Sequence, residues 1–135
     1  LGAEGVNLGT RFIATKEAPV HQNVKDALVA ASELDTTLIM RSLRNTERVL
    51  KNDAVTSIQQ KEKALGDDIK IEDILDEVAG VYPKIMTEGK MEEGAWSCGM
   101  VAGLVHDIPS CQELIDGMVS EAEEIINSRL AKFIA

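Results

Sequence analysis

Gly9-Thr10-Arg11 is the first place in this chain where residue types and spacing allow chemistry. It follows a short run, Gly2 to Gly9, in which Val6 and Leu8 fall on the same side of an extended backbone. That alternation reads as a short strand. A glycine at a strand end lets the backbone approach a ligand with no Cβ in between. Successive free amides there can form an anion-binding concavity, and the Thr10 hydroxyl adds a donor. The same three residues also suit a plain glycine turn.

A second candidate is the segment from Gly94 to Gly103, whose small residues Ala95, Gly99, Ala102 and Gly103 surround Trp96, the chain's one tryptophan. Such a segment either starts a helix whose backbone approaches a planar cofactor or packs a helix tightly with Trp96 as its anchor. A third is the basic run Arg41, Arg44, Arg48 and Lys51. Those spacings align on one face of a helix, which would be a solvated surface or a cationic wall beside an anionic ligand.

Other chemistries are poorly supplied. Cys98 and Cys111 match no metal-ligand spacing, and they read as two reduced thiols. His21 and His106 are far apart in sequence, so no zinc site is expected. The net charge of −9 excludes a generally basic nucleic-acid binder. No run of 18 apolar residues is present, so no membrane span is expected. A cytoplasmic protein is the expectation. The charge is uneven: residues 1–52 hold seven basic and six acidic side chains, and residues 53–135 hold seven and seventeen. An anionic ligand would therefore prefer the first third.

The elements that must position these residues are mostly helical. Residues 21–32 place Val24, Ala27, Leu28 and Ala31 on one stripe. Thr36 to Met40 is β-branched and apolar, which predicts a short extended segment. Residues 53–65 read as a helix ended by Gly66, and residues 71–79 as another, interrupted by Gly80 and Pro83. Ser110 and Glu113 form a capping box just after Pro109. The apolar stripe that follows, from Cys111 through Leu114, Met118 and Ile125 to Phe133, holds helical spacing for six turns. A lone opening strand cannot make a sheet, so its partners lie elsewhere in this chain or on a segment outside it.

The run Gly2-Ala3-Glu4-Gly5-Val6-Asn7-Leu8-Gly9-Thr10-Arg11-Phe12-Ile13-Ala14-Thr15-Lys16-Glu17, with Pro19, His21 and Lys25 after it, resembles a signature segment of the nitronate monooxygenases. Thr37 to Thr46, and Trp96-Ser97 followed by Gly99-Met100, resemble the same family further along. The resemblance implies an α/β fold: the C-terminal part of an FMN-binding (β/α)8 TIM barrel with a helical cap insertion, this chain itself being mostly α-helical. Phosphate sites in such barrels often lie in the loops after strands 7 and 8. Residues 1–15 would be the last barrel strand and phosphate loop, residues 16–93 the cap, and residues 94–135 C-terminal helices packing on the barrel.

The resemblance carries Asn7, Leu8, Gly9 and Thr10 over as cofactor-binding residues at the FMN phosphate. It assigns no catalytic residue here, because the family's catalytic histidine lies upstream. His21 matches a different histidine of the signature, and His106 stands where relatives often have an acid. Ala18 replaces a cysteine frequent in the family. The implied reaction oxidises an alkyl nitronate to a carbonyl compound and nitrite with dioxygen. The partners expected are a small nitronate and dioxygen, with no nucleic acid, no membrane, and room for a homodimer. Two alternatives stand beside it: a flavin-dependent enoyl reductase or NAD(P)H:quinone reductase of the same barrel family, and a non-enzymatic helical interaction module.

Overall fold

The computed structural model describes residues 2–133. Residues 2–8 run without regular structure and are exposed, Val6 by 84%. The expected opening strand is therefore not formed among the described residues. A strand exists only through a neighbour's ladder, and Val6 and Leu8 have none there. The chain then turns into α1 (Thr10–Ile13).

α2 (Gln22–Ala30) buries Val24, Lys25 and Leu28. Its N-cap is His21, whose Nδ1 accepts from the Asn23 amide at 3.1 Å. Gly89 sits against the ring of His21 at φ +70°, and a Cβ there would come within 2.2 Å of Nδ1. Both the left-handed backbone and the close approach require glycine. Lys25 is buried and donates to the Lys16 carbonyl at 3.2 Å, tying α2 to the segment after α1.

β1 (Thr36–Ile39) and β2 (Glu47–Leu50) pair antiparallel, with Thr36 opposite Leu50 and Ile39 opposite Glu47. β1 lies within the predicted extended segment, whereas β2 was not foreseen. The connection between them is a turn with Met40 at φ 58° and Arg44 at φ 54°. It is closed by Arg44 N–H to the Arg41 carbonyl (3.0 Å) and Asn45 N–H to the Met40 carbonyl (3.2 Å). The basic run is thus not one helical face. Arg41 and Arg44 are exposed on the turn, and Arg48 belongs to β2.

α3 (Asp53–Leu65) starts at Asn52, whose Oδ1 accepts from the Val55 amide at 2.8 Å. The Asn52 Nδ2 donates to the carbonyls of Met91 and Gly94, at 2.7 and 2.8 Å, so one side chain caps the helix and pins a distant loop. The helix expected over residues 71–79 is a 3-10 turn, Ile71–Ile74, running into the four-residue α4 (Leu75–Val78). α5 (Tyr82–Met86) has Pro83 in its first turn, where a missing amide proton costs nothing. Of the acidic residues from Asp67 to Glu93, all are exposed except Glu77, which is half-buried and bonded to Lys61 and Ser57. Residues Met100–Leu104 form a 3-10 turn instead of the start of a longer helix. α6 (Cys111–Ser128) begins at Ser110 with both bonds of its capping box in place. It ends five residues short of Phe133, in a further 3-10 turn, Leu130–Phe133.

Two apolar clusters hold these elements. One joins Ala14, Val24, Leu28, Leu50, Ile85, Trp96 and Val105. The other joins Ile39, Val49, Val55, Ile58, Ile74 and Ala95. Val49 and Leu50 are neighbours in β2 yet belong to different clusters, as the two-residue period of a strand demands. β2 is therefore the partition between the two cores.

Candidate active site

Three segments meet at a concave site. α1 brings Gly9 and Thr10 to it. The segment Ser97-Cys98-Gly99 lies along β2, through a bridge between Val49 and Ser97 and a bond from the Cys98 amide to the Arg48 carbonyl at 3.0 Å. The Gly99 amide donates to Thr10 Oγ1 at 2.9 Å, joining the two loops. α5 closes the third side with Tyr82 and Met86. The cavity so formed has a volume of about 430 Å³. A larger groove of about 890 Å³ runs between Arg11, Pro109 and the face of α6 that carries Leu114, Gly117 and Met118. In that groove Arg11 is held by Asp107 at 2.5 Å, so its charge is already answered.

The smaller cavity has the features of a ligand site. Thr10 Oγ1 accepts one hydrogen bond, which leaves its own proton to donate. Gly9 and Gly99 both line it, and neither is imposed by the fold. Their φ values are −108° and −72°, within reach of any residue. A Cβ on Gly9 would meet nothing within 4 Å, and one on Gly99 would make only ordinary contact, 3.4 Å from Thr10 Oγ1. Two glycines that packing does not require leave open the space a ligand's phosphate or ring would take. Cys98 lines the same cavity, and burial pushes its thiol up to about 11. It is a neutral wall and not a nucleophile at neutral pH.

Among the four residues carried over from the resemblance, Gly9 and Thr10 line this cavity, while Asn7 and Leu8 lie on the exposed stretch before it. Ser97 lines it and donates to Glu47 on β2. Trp96 is fully buried behind it in the first core, as an anchor. Arg48 is the one member of the basic run that reaches it. No residue pattern singles out Tyr82 or Met86 as part of a site. Pro83 after the chain's one tyrosine was the signal that could have placed Tyr82 in a first helical turn.

Residues 1–121 match the family model described as nitronate monooxygenase. The chain belongs to the nitronate monooxygenase family. A probable nitronate monooxygenase of Staphylococcus haemolyticus is 36% identical over 46% of this chain and 17% of its own length. A Rhodococcus jostii relative, named (3aS,4S,5R,7aS)-5-hydroxy-7a-methyl-1-oxo-octahydro-1H-indene-4-carboxyl-CoA dehydrogenase, is 28% identical over 94% of this chain and 46% of its own. The structure of FabK from Thermotoga maritima superposes with a TM-score of 0.86 at 30% identity, over 98% of this chain and 40% of FabK. The chain thus spans less than half the length of these relatives, and its fold is that of the matching part of FabK. Among the described residues there is no cluster able to hold a metal ion, and no helix long and apolar enough to cross a membrane.

Proposed function

We propose that this chain supplies the phosphate end of an FMN site, and one wall of the substrate pocket, in a flavin-dependent oxidoreductase built on a (β/α)8 barrel. The observation that carries this is the pair Gly9 and Gly99. Both leave a shared cavity open without any steric or conformational need of their own. With the free Thr10 proton beside them, these residues fit a phosphate. Gly9 and Thr10 would hold it, and Asn7 and Leu8 would lead the backbone up to it. FMN, when bound, would supply the redox chemistry by which an alkyl nitronate and dioxygen, the source of the carbonyl oxygen, give a carbonyl compound and nitrite. The residues of this chain bind and orient: Cys98, Ile13 and Met86 keep water from one side of the pocket, and Thr10 holds an anion. Among the described residues that line the cavity there is no carboxylate or histidine, and a nitronate, already deprotonated at carbon, requires no base there.

The test uses the full-length protein and follows flavin retained through purification. Gly9→Val places a branched side chain into the open space and is expected to abolish retention. Thr10→Val removes the donor, weakening phosphate binding by roughly 1–3 kcal/mol. Full retention in both variants would overturn the assignment.

A second reading is favoured by the Rhodococcus relative, whose name ends in carboxyl-CoA dehydrogenase. It makes the substrate an acyl thioester, handled by the same flavin as in an enoyl reductase. Oxygen consumption with propyl-1-nitronate, set against pyridine-nucleotide oxidation with an enoyl thioester, separates the two.

A further inference from the structure

Arg48 is the one charged residue among the described residues that line the 430 Å³ cavity. The other walls named above are apolar, small or hydroxyl-bearing. Its guanidinium donates to Thr36 Oγ1 at 2.9 Å. Among the described residues no carboxylate lies within 4.0 Å of it. A neutral hydroxyl orients a guanidinium without neutralising it, and four of its five N–H donors stay available. Arg11, the arginine of the larger groove, is by contrast paired with Asp107.

We propose that Arg48 is the specificity-determining residue that engages the anionic end of a small, otherwise apolar substrate in this cavity. This rests on the flavin reading above, and it separates Arg48 from the cofactor's phosphate. Thr10 is bonded to the Gly99 amide, whereas the Arg48 backbone is bonded to the Cys98 amide and its side chain reaches to Thr36 on β1. The two groups come from different elements, and the proposal gives Thr10 the anion of the cofactor and Arg48 that of the substrate. Ile13, Val20 and Met86 offer the apolar remainder of the substrate its contact surface.

The experiment measures binding to the full-length protein as purified, by calorimetry, with butyrate and with its neutral isostere butyramide. Flavin content is read from absorbance in the same samples. The wild type is expected to prefer butyrate. Arg48→Gln should keep the wild-type flavin content, lose about 10- to 100-fold in butyrate affinity, and leave butyramide unchanged. Arg48→Met, which keeps the apolar stem, serves the same purpose if glutamine prevents folding. Unchanged butyrate affinity in the variant, or no preference for butyrate in the wild type, overturns the proposal. Loss of flavin with butyrate affinity retained also overturns it, because Arg48 would then serve the cofactor's phosphate. A wild type that holds no flavin but shows an Arg48-dependent preference for butyrate supports this inference and defeats the flavin reading alone.

Discussion

Glu113 shows how much one side chain can hold at the start of a helix. Its carboxylate accepts from the Ser110 amide at 2.7 Å and from Lys16 Nζ at 3.0 Å. The amide and the ammonium together hold its pKa near 2, against an ordinary 4.5. The folded pKa is the lower one. The stabilisation is therefore complete above about pH 4.5 and is lost as pH falls toward about 2. Glu113→Gln is expected to lower stability at neutral pH and to flatten its dependence on pH across that window, as read by chemical denaturation at a series of pH values. The two thiols make a second test. Cys98 is buried with its pKa raised, and Cys111 is half-buried. Iodoacetamide at about pH 8, near the ordinary cysteine range, should label Cys111 and spare Cys98 in the folded protein. Labelling of Cys98 at a comparable rate would mean that the cavity wall opens. His21 belongs to the same scale, its Nδ1 spent on capping α2.

Elements whose specification is local were legible in the sequence, and those specified by a neighbour were not. α6 carries its own start signal, the Ser110–Glu113 box, and begins where that box predicts, and α3 covers the expected residues 53–65 with Asn52 as its cap. The opening strand rested on Val6 and Leu8 alone, and alternation without a ladder partner does not make a strand. β2 was missed because Arg41, Arg44 and Arg48 mimic a helical spacing. The positive φ values of Met40 and Arg44, which break that helix, leave no mark in residue type. The cavity was half legible. Gly9, Thr10, Gly99 and Arg48 stood out by type, while Tyr82 and Met86 were brought to it by α5. Gly103 tests the packing between elements. A Cβ there would come within 2.4 Å of the Glu33 amide nitrogen, a backbone atom that cannot swing aside. Gly103→Ala is expected to destabilise by roughly 1–3 kcal/mol through overpacking, measured as a shift of the denaturation midpoint at constant slope. An unchanged midpoint would show that the Met100–Leu104 turn does not bear on the segment before β1.

At the scale of the whole molecule, the apolar surface is divided unequally. Residues before α6 converge on two cores, but α6 itself buries only Leu114. Ile115, Val119, Ile125 and Ile126 stand 43–52% exposed, and Phe133 beyond them is 85% exposed. A helix whose stripe is this long and this bare needs a covering surface. The relatives are more than twice as long as the part this chain matches, which is room for such a surface. Residues 1–135 expressed by themselves should therefore bind a hydrophobic dye and self-associate as concentration rises. The double substitution Val119→Lys and Ile126→Lys should suppress both, with little loss of helicity because neither side chain is buried within this chain. In the full-length protein the same pair is expected to be strongly destabilising, since it would place two charges into an apolar contact. Sedimentation velocity of the two forms, with and without the substitutions, reads both halves of the expectation. A monomeric, dye-silent chain would mean that α6 folds back over its own stripe. Full-length protein indifferent to both lysines would mean that the stripe faces water throughout.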